Sequence, residues 1–127
     1  MSAMMVLRRP GTLSAVGLAL SGAAIAGRPR QALKTVGLVA QGSRGIAETR
    51  AGLGGTFAAL GTWALARGSS QAYTAVGVTW LGAAALRLAA LRLDEPETDW
   101  TYWAYLAGEV TLGLAGLAAR SRRSIRP

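Results

Sequence analysis

The chain contains no cysteine and no histidine. Without thiols there are no disulfides, no thiolate nucleophiles and no thiolate metal sites. Without imidazole the commonest general base and transition-metal ligand is missing, and with it any Ser-His-Asp arrangement. Most enzyme chemistry is thereby excluded, and the sequence implies no cofactor, no metal and no catalytic residue. Charge is also scarce: 16% of the 127 residues are charged, against about 25% in an ordinary soluble domain. Hydrophobic residues make up 51%. A soluble helical domain would alternate polar and apolar faces, whereas here the charges lie between long stretches that are apolar or small all round. The composition therefore favours a bilayer as solvent.

The net charge of +8 and pI near 11.5 raise the question of nucleic acid. A nucleic-acid binder gathers basic residues on one exposed face with stacking or base-reading partners nearby. Here they flank apolar segments instead: Arg8 and Arg9, then Arg28, Arg30 and Lys34, then Arg120, Arg122, Arg123 and Arg126. That is a membrane-topology pattern. The expected partner is the lipid bilayer, with a homo-oligomer or a larger membrane complex as protein partners, and no nucleic acid.

The pattern predicts an all-α fold, an integral membrane four-helix bundle forming one domain, with spans over about 11–26, 46–66, 72–91 and 100–119. The first is short against the roughly 20 apolar residues that a bilayer requires, and it stops at Gly27, Arg28 and Pro29. Residues 31–41 carry Leu33, Val36, Val39 and Ala40 opposite Lys34, which predicts an interfacial helix. Gly42, Ser43 and Gly45 then predict a loop. Arg67-Gly68-Ser69-Ser70 is a tight polar turn, and Asp94 to Asp99 is an acidic break that cannot lie in hydrocarbon. Trp100, Tyr102, Trp103 and Tyr105 form an aromatic interface belt, and 120–127 is a basic tail. Arg8-Arg9, the run Leu13 to Ala26 and the triplet Ala24-Ile25-Ala26 also have the layout of a cleavable signal sequence, with the Arg pair pointing to twin-arginine export. Further spans follow Ala26, so the segment is read as a retained first helix. The positive-inside bias places both termini on the cytoplasmic side of a bacterial cell membrane and the acidic loop outside.

Four ionisable residues interrupt the apolar segments: Glu48, Arg50, Arg87 and Glu109. Such groups are rare in lipid and face a protein interior or a wet cavity. In this topology Arg50, Arg87 and Glu109 share the outer half of the bundle, so Glu109 is expected to neutralise Arg87, Arg50 or both. Tyrosine hydroxyls, Tyr105 among them, are expected to complete the cluster. Helical spacing puts Arg50 with Gly54, Phe57 and Gly61, and Glu48 with Gly52, Gly55 and Ala59, so Glu48 and Arg50 are not a pair. Gly52, Gly54, Gly55 and Gly61 are read as helix-packing positions; a nucleotide loop is excluded because Phe57 replaces the last glycine of GxGxxG and no strand precedes it. Three roles stay open for the cluster. It is a structural ion pair that fixes helix register, or a pocket for an anionic headgroup, quinone-like molecule or other amphipathic ligand, or a path for protons or ions. The leading expectation is a non-enzymatic membrane or accessory component; its alternative is a small carrier or lipid- or quinone-binding protein.

The stretch Glu48-Thr49-Arg50-Ala51-Gly52-Leu53-Gly54-Gly55, the apolar hairpin after it, Arg87, the Asp94-Glu95-Pro96 break and Glu109 together resemble a family. These are the small bacterial four-helix integral membrane proteins known as a domain of unknown function, 4345 type. The similarity covers most of the chain from about Pro29 onward and implies a fold without an activity. Leu53 stands where that family often has an aromatic residue, and Glu95 where a glycine is common. A more distant similarity to DoxX-like membrane proteins implies an accessory role beside a redox enzyme. Small multidrug transporters depend on a glutamate in the first span, and no ionisable residue occurs between Arg9 and Arg28.

Overall fold

The computed structural model describes residues 9–124, and side chains as far as Ala119; Arg8 and the side chains of the basic tail expected over 120–127 lie outside them. All secondary structure among the described residues is helical. Helix α1 (Pro10–Gly27) opens with proline at its first turn, where no N–H is needed. It closes at Arg28, which leaves the helical region because Pro29 follows. Helix α2 (Pro29–Thr35) is shorter than the interfacial helix expected over 31–41. Gly37 adopts a left-handed φ of +74° and turns the chain out of the helix.

Gly42, Ser43 and Gly45, expected as a loop, are instead part of helix α3 (Gly42–Glu48). A π-helical stretch (Thr49–Gly55) and helix α4 (Thr56–Arg67) follow without a break. Glu48, Thr49, Gly55 and Thr56 all stay in the right-handed helical region, so Gly42 to Arg67 is one continuous rod. Gly68, at φ +60°, ends it with a left-handed cap whose N–H reaches the Ala64 carbonyl at 2.9 Å. The Ser69 hydroxyl then accepts from Ala72 N–H at 3.2 Å and starts helix α5 (Ser70–Leu93). Asp99 opens helix α6 (Trp100–Ser124) by accepting Tyr102 N–H at 3.1 Å and the Thr101 hydroxyl. Those bonds, the Thr101 hydroxyl first, hold the exposed Asp99 carboxyl below the usual aspartate range.

α1 sits at the centre, touching the rod, α5 and α6. The α1/α4 pair is antiparallel and nearly bare of side chains at its seam. A methyl placed on Gly61 would meet the Ala15 carbonyl oxygen at 2.7 Å, one on Gly22 the Gly54 carbonyl oxygen at 2.6 Å, and one on Gly54 the backbone of Ala26 at 2.8 Å. The antiparallel α5/α6 pair repeats the device, with Gly77 against the Gly113 carbonyl oxygen at 2.8 Å and Gly116 against Gly77. Gly52 and Gly55 do not pack: Gly52 has nothing within 4 Å, and Gly55 meets only the Arg50 carbonyl of its own turn. Gly54 and Gly61, which helical spacing sets on one stripe, are the two that pack against α1, whereas Gly52 and Gly55 share the stripe of the exposed Glu48 and face away from it. The core is correspondingly small-sided, built on Ala15, Leu18, Ala64, Ala72 and Val76.

Among the described residues two helices, α1 and α5, are by length and composition long and apolar enough to cross a membrane. In α5 only 17% of the apolar window is buried inside the bundle, and Val78, Leu86 and Leu88 point outward.

Candidate functional site

α5 and α6 are joined by the short acidic break and run antiparallel, so a residue late in α5 faces one early in α6. That register places Arg87 opposite Glu109. Arg87 Nε donates to Glu109 Oε1 at 2.5 Å. The Glu109 side chain is 4% exposed and that of Arg87 24%. The guanidinium lies over two rings of α6, with Cζ 5.2 Å from the centroid of Tyr102 and 5.6 Å from that of Tyr105, within reach of a cation–π interaction. The Tyr102 hydroxyl donates to the Arg87 carbonyl at 2.7 Å, tying the end of α5 to α6 a second time.

The other two charged candidates do not join this group. Glu48 is exposed and accepts from Arg44 Nε at 2.7 Å, an i,i+4 pair on the surface of the rod that contributes little. Arg50 reaches back from the π stretch and donates to the Ala26 carbonyl. Ala26 lies in the last turn of α1, where carbonyls have no partner within the helix and a cation is favoured. Arg50 therefore caps α1 and does not neutralise Glu109.

Above the Gly68 turn, the rod and α5 part, and a cleft of about 770 Å³ opens between them with α1 at its back and α2 across its outer end. Leu53 and Phe57 line it from the rod, Ala83 and Trp80 from α5, and Arg87, Tyr105 and Glu109 close its inner end. A smaller cavity of about 390 Å³ on the α6 side shares Ser21, Thr35, Trp80, Tyr105 and Glu109. The two spaces meet at Glu109. The Thr35 hydroxyl is hydrogen-bonded to the Tyr105 hydroxyl at 2.7 Å, strapping α2 to α6 beside that junction.

Most polar side chains around the junction have protein partners. Ser21 bonds to the Gly17 carbonyl at 2.8 Å, Thr79 to the Ala75 carbonyl at 2.9 Å, and Trp80 Nε1 to the Ser14 carbonyl at 3.1 Å. Two buried side-chain oxygens have none among the described residues: Ser14 Oγ and Glu109 Oε2. Of these only the glutamate lines the cleft. The arrangement is an apolar slot ending in an ion pair, Arg87 Nε to Glu109 Oε1, beside which Glu109 Oε2 has no donor. Among the described residues no three acidic side chains gather to hold a metal ion.

The sequence reading did not single out Thr35, which has no distinguishing pattern around it; it set Tyr102 on the Glu109 face as a hydroxyl for the cluster, whereas that hydroxyl bonds to the Arg87 carbonyl. Trp80 carried a usable signal, since it lies on the same face of α5 as Arg87. Comparison with protein-family models, with curated proteins and with solved structures finds no match, so what the chain does is argued from this geometry.

Proposed function

We propose that this chain is a non-enzymatic multi-pass membrane protein whose cleft holds an amphipathic molecule, with the apolar body between the rod and α5 and the polar end at Glu109. The observation that carries the proposal is the cleft itself: about 770 Å³ of largely apolar lining that ends on one buried ion pair. Ligand sites have that character, a volume of about 300 to 1,000 Å³ with few convergent polar groups. A bilayer setting is supported by the exterior of α5, because the core helix of a soluble protein would be mostly buried and this one is 17% buried. Leu20 at 64% and Leu86 at 74% exposure add to that apolar exterior.

In the proposed topology α1, the rod, α5 and α6 each cross the bacterial cytoplasmic membrane, with both termini cytoplasmic. Retention of α1 is favoured by its central position, since its removal would strip the rod of its glycine-lined neighbour. The cleft then lies toward the outer face, with the acidic loop and α2. A second reading is favoured by the double tie between α5 and α6, through Arg87 to Glu109 and Tyr102 to the Arg87 carbonyl: the pair locks helix register, and the protein acts through a partner in a larger membrane complex.

The test is thermal stability in detergent, with and without a bacterial lipid extract, for the intact protein and for Ala83→Trp, which fills the cleft. Ligand binding requires that the extract raise the melting temperature of the intact protein and leave Ala83→Trp unchanged. If the extract moves neither, or both equally, the cleft holds no ligand and the register lock is the surviving reading.

A further inference from the structure

We infer that the occupant's polar end is a neutral hydroxyl, an alcohol or phenol on an apolar body, which donates to Glu109 Oε2. This rests on the reading of the cleft as a ligand site and adds the chemistry of its head group. An ionised carboxylate only accepts hydrogen bonds. Oε1 is taken by Arg87 Nε, while Oε2 is buried and unpartnered on a side chain that lines the cleft. The neighbouring hydroxyls and the indole N–H are already engaged within the protein. A head group that satisfies Oε2 therefore has to bring a donor, and a hydroxyl can in addition accept from the terminal N–H groups of Arg87, whose Nε alone is used by Glu109.

Charge narrows the choice further. Arg87 and Glu109 cancel each other. An anionic head would meet the free carboxylate oxygen and leave the buried site with a net negative charge, and an ammonium would leave it net positive, each uncompensated in an apolar surround. A ketone, ester or oxidised quinone offers only acceptors and leaves Oε2 unpaired, at the full desolvation penalty of that atom. A hydroxyl donates without adding charge. Water could satisfy the same oxygen, but a slot with largely apolar walls favours a molecule that fills it.

Trp80 lines both cavities and reports occupancy. The experiment uses the full chain with Trp63, Trp100 and Trp103 replaced by Phe, purified in an amine-oxide detergent that carries no hydroxyl. It follows quenching of Trp80 by bromo-undecanol, bromo-undecane, bromo-undecanoic acid and a bromo-undecanone. The alcohol is expected to quench saturably, with an apparent affinity about tenfold or more above that of the other three, the margin of a hydrogen bond to a charged group. Glu109→Gln can turn its amide oxygen to Arg87 and its amide N–H to the cleft, so the order should reverse, with the ketone above the alcohol. Equal quenching by alcohol and alkane means that water keeps Oε2, and preference for the acid means that Arg87 dominates; either overturns the hydroxyl assignment while leaving the cleft a ligand site. Failure of all four probes to quench saturably overturns the ligand site as well. Should Glu109→Gln not fold, the order of the four probes on the chain with native Glu109 decides alone.

Discussion

Arg87→Gln is expected to destabilise the protein more than Glu109→Gln, although the two remove the same ion pair. The difference follows from where each survivor is left. After Arg87→Gln the Glu109 carboxylate remains 4% exposed, already lacks a partner at Oε2, and has no flexible stem long enough to reach water. Removing one partner of a buried pair costs about 3 to 5 kcal/mol. After Glu109→Gln the guanidinium is 24% exposed at the outset, keeps the faces of Tyr102 and Tyr105, and can extend along its stem to the interface. A loss of about 1 to 2 kcal/mol is expected, nearer to a neutral hydrogen bond than to an abandoned charge.

The variant carrying both substitutions should then be more stable than Arg87→Gln alone, because two amides can bond to each other and neither is charged. Chemical unfolding in detergent micelles, followed by helical circular dichroism, gives the three differences and their coupling. For residues in direct contact the coupling is about 0.5 to 3 kcal/mol. Equal losses for the single variants, or a double variant that loses their sum, would refute the argument from desolvation. In that case the pair would behave as a surface contact.

The remaining expectations concern the frame around the pair. Gly22→Val drives a side chain into the Ala58 backbone and the Gly54 carbonyl and should cost at least about 1 to 3 kcal/mol or prevent folding, whereas Gly52→Ala, with nothing within 4 Å, should be neutral or raise stability by up to about 1 kcal/mol; expression and thermal melting of the two variants check this. Thr35→Val breaks the 2.7 Å bond to Tyr105, so hydrogen exchange should accelerate over residues 29–38 and stay unchanged in α5. Asp99 has its carboxyl lowered by bonds from Thr101 and Tyr102, so its contribution to stability is full above the ordinary aspartate range and is lost as pH falls through the lowered folded-state value. Asp99→Asn should keep the cap and abolish that acid dependence, as read from exchange of the Tyr102 amide against pH.

Much of this architecture could be read from sequence because it rests on patterns of composition. The apolar stretches, the Gly68 turn and the Asp94 to Asp99 break predict helices in sequence order. The meeting of Arg87 with Glu109 then follows from counting residues back from one short connection. Arg50 shows where such counting stops. Its partner is a main-chain carbonyl at the end of α1, and main-chain acceptors carry no signature in a sequence. The glycines stop at a related point: helical spacing separates the stripe of Gly54 and Gly61 from that of Gly52 and Gly55, but only the tertiary packing decides that the first stripe meets α1 and the second does not. Thr35 is legible in neither way, because the fold of the 36–41 segment decides where α2 lies.

The cleft is the other face of the glycine seams. Where α1 meets α4 and where α5 meets α6, backbones approach without side chains between them, which fixes two tight pairs. Small residues give lipid-embedded helices their close contacts, since lipid supplies no hydrophobic drive between them. The rod and α5 share no such seam; they are joined at Gly68 and part above it, and the side chains along the gap, from Ala23, Ala24 and Ala83 to Leu53, Phe57 and Trp80, leave about 770 Å³ unfilled. Larger residues there would fill it and strengthen the core. An unfilled cleft beside a buried carboxylate oxygen with no partner makes two departures from the most stable packing in one place. Such departures gather at functional sites, and a ligand that fills the slot and donates to Glu109 would repair both at once.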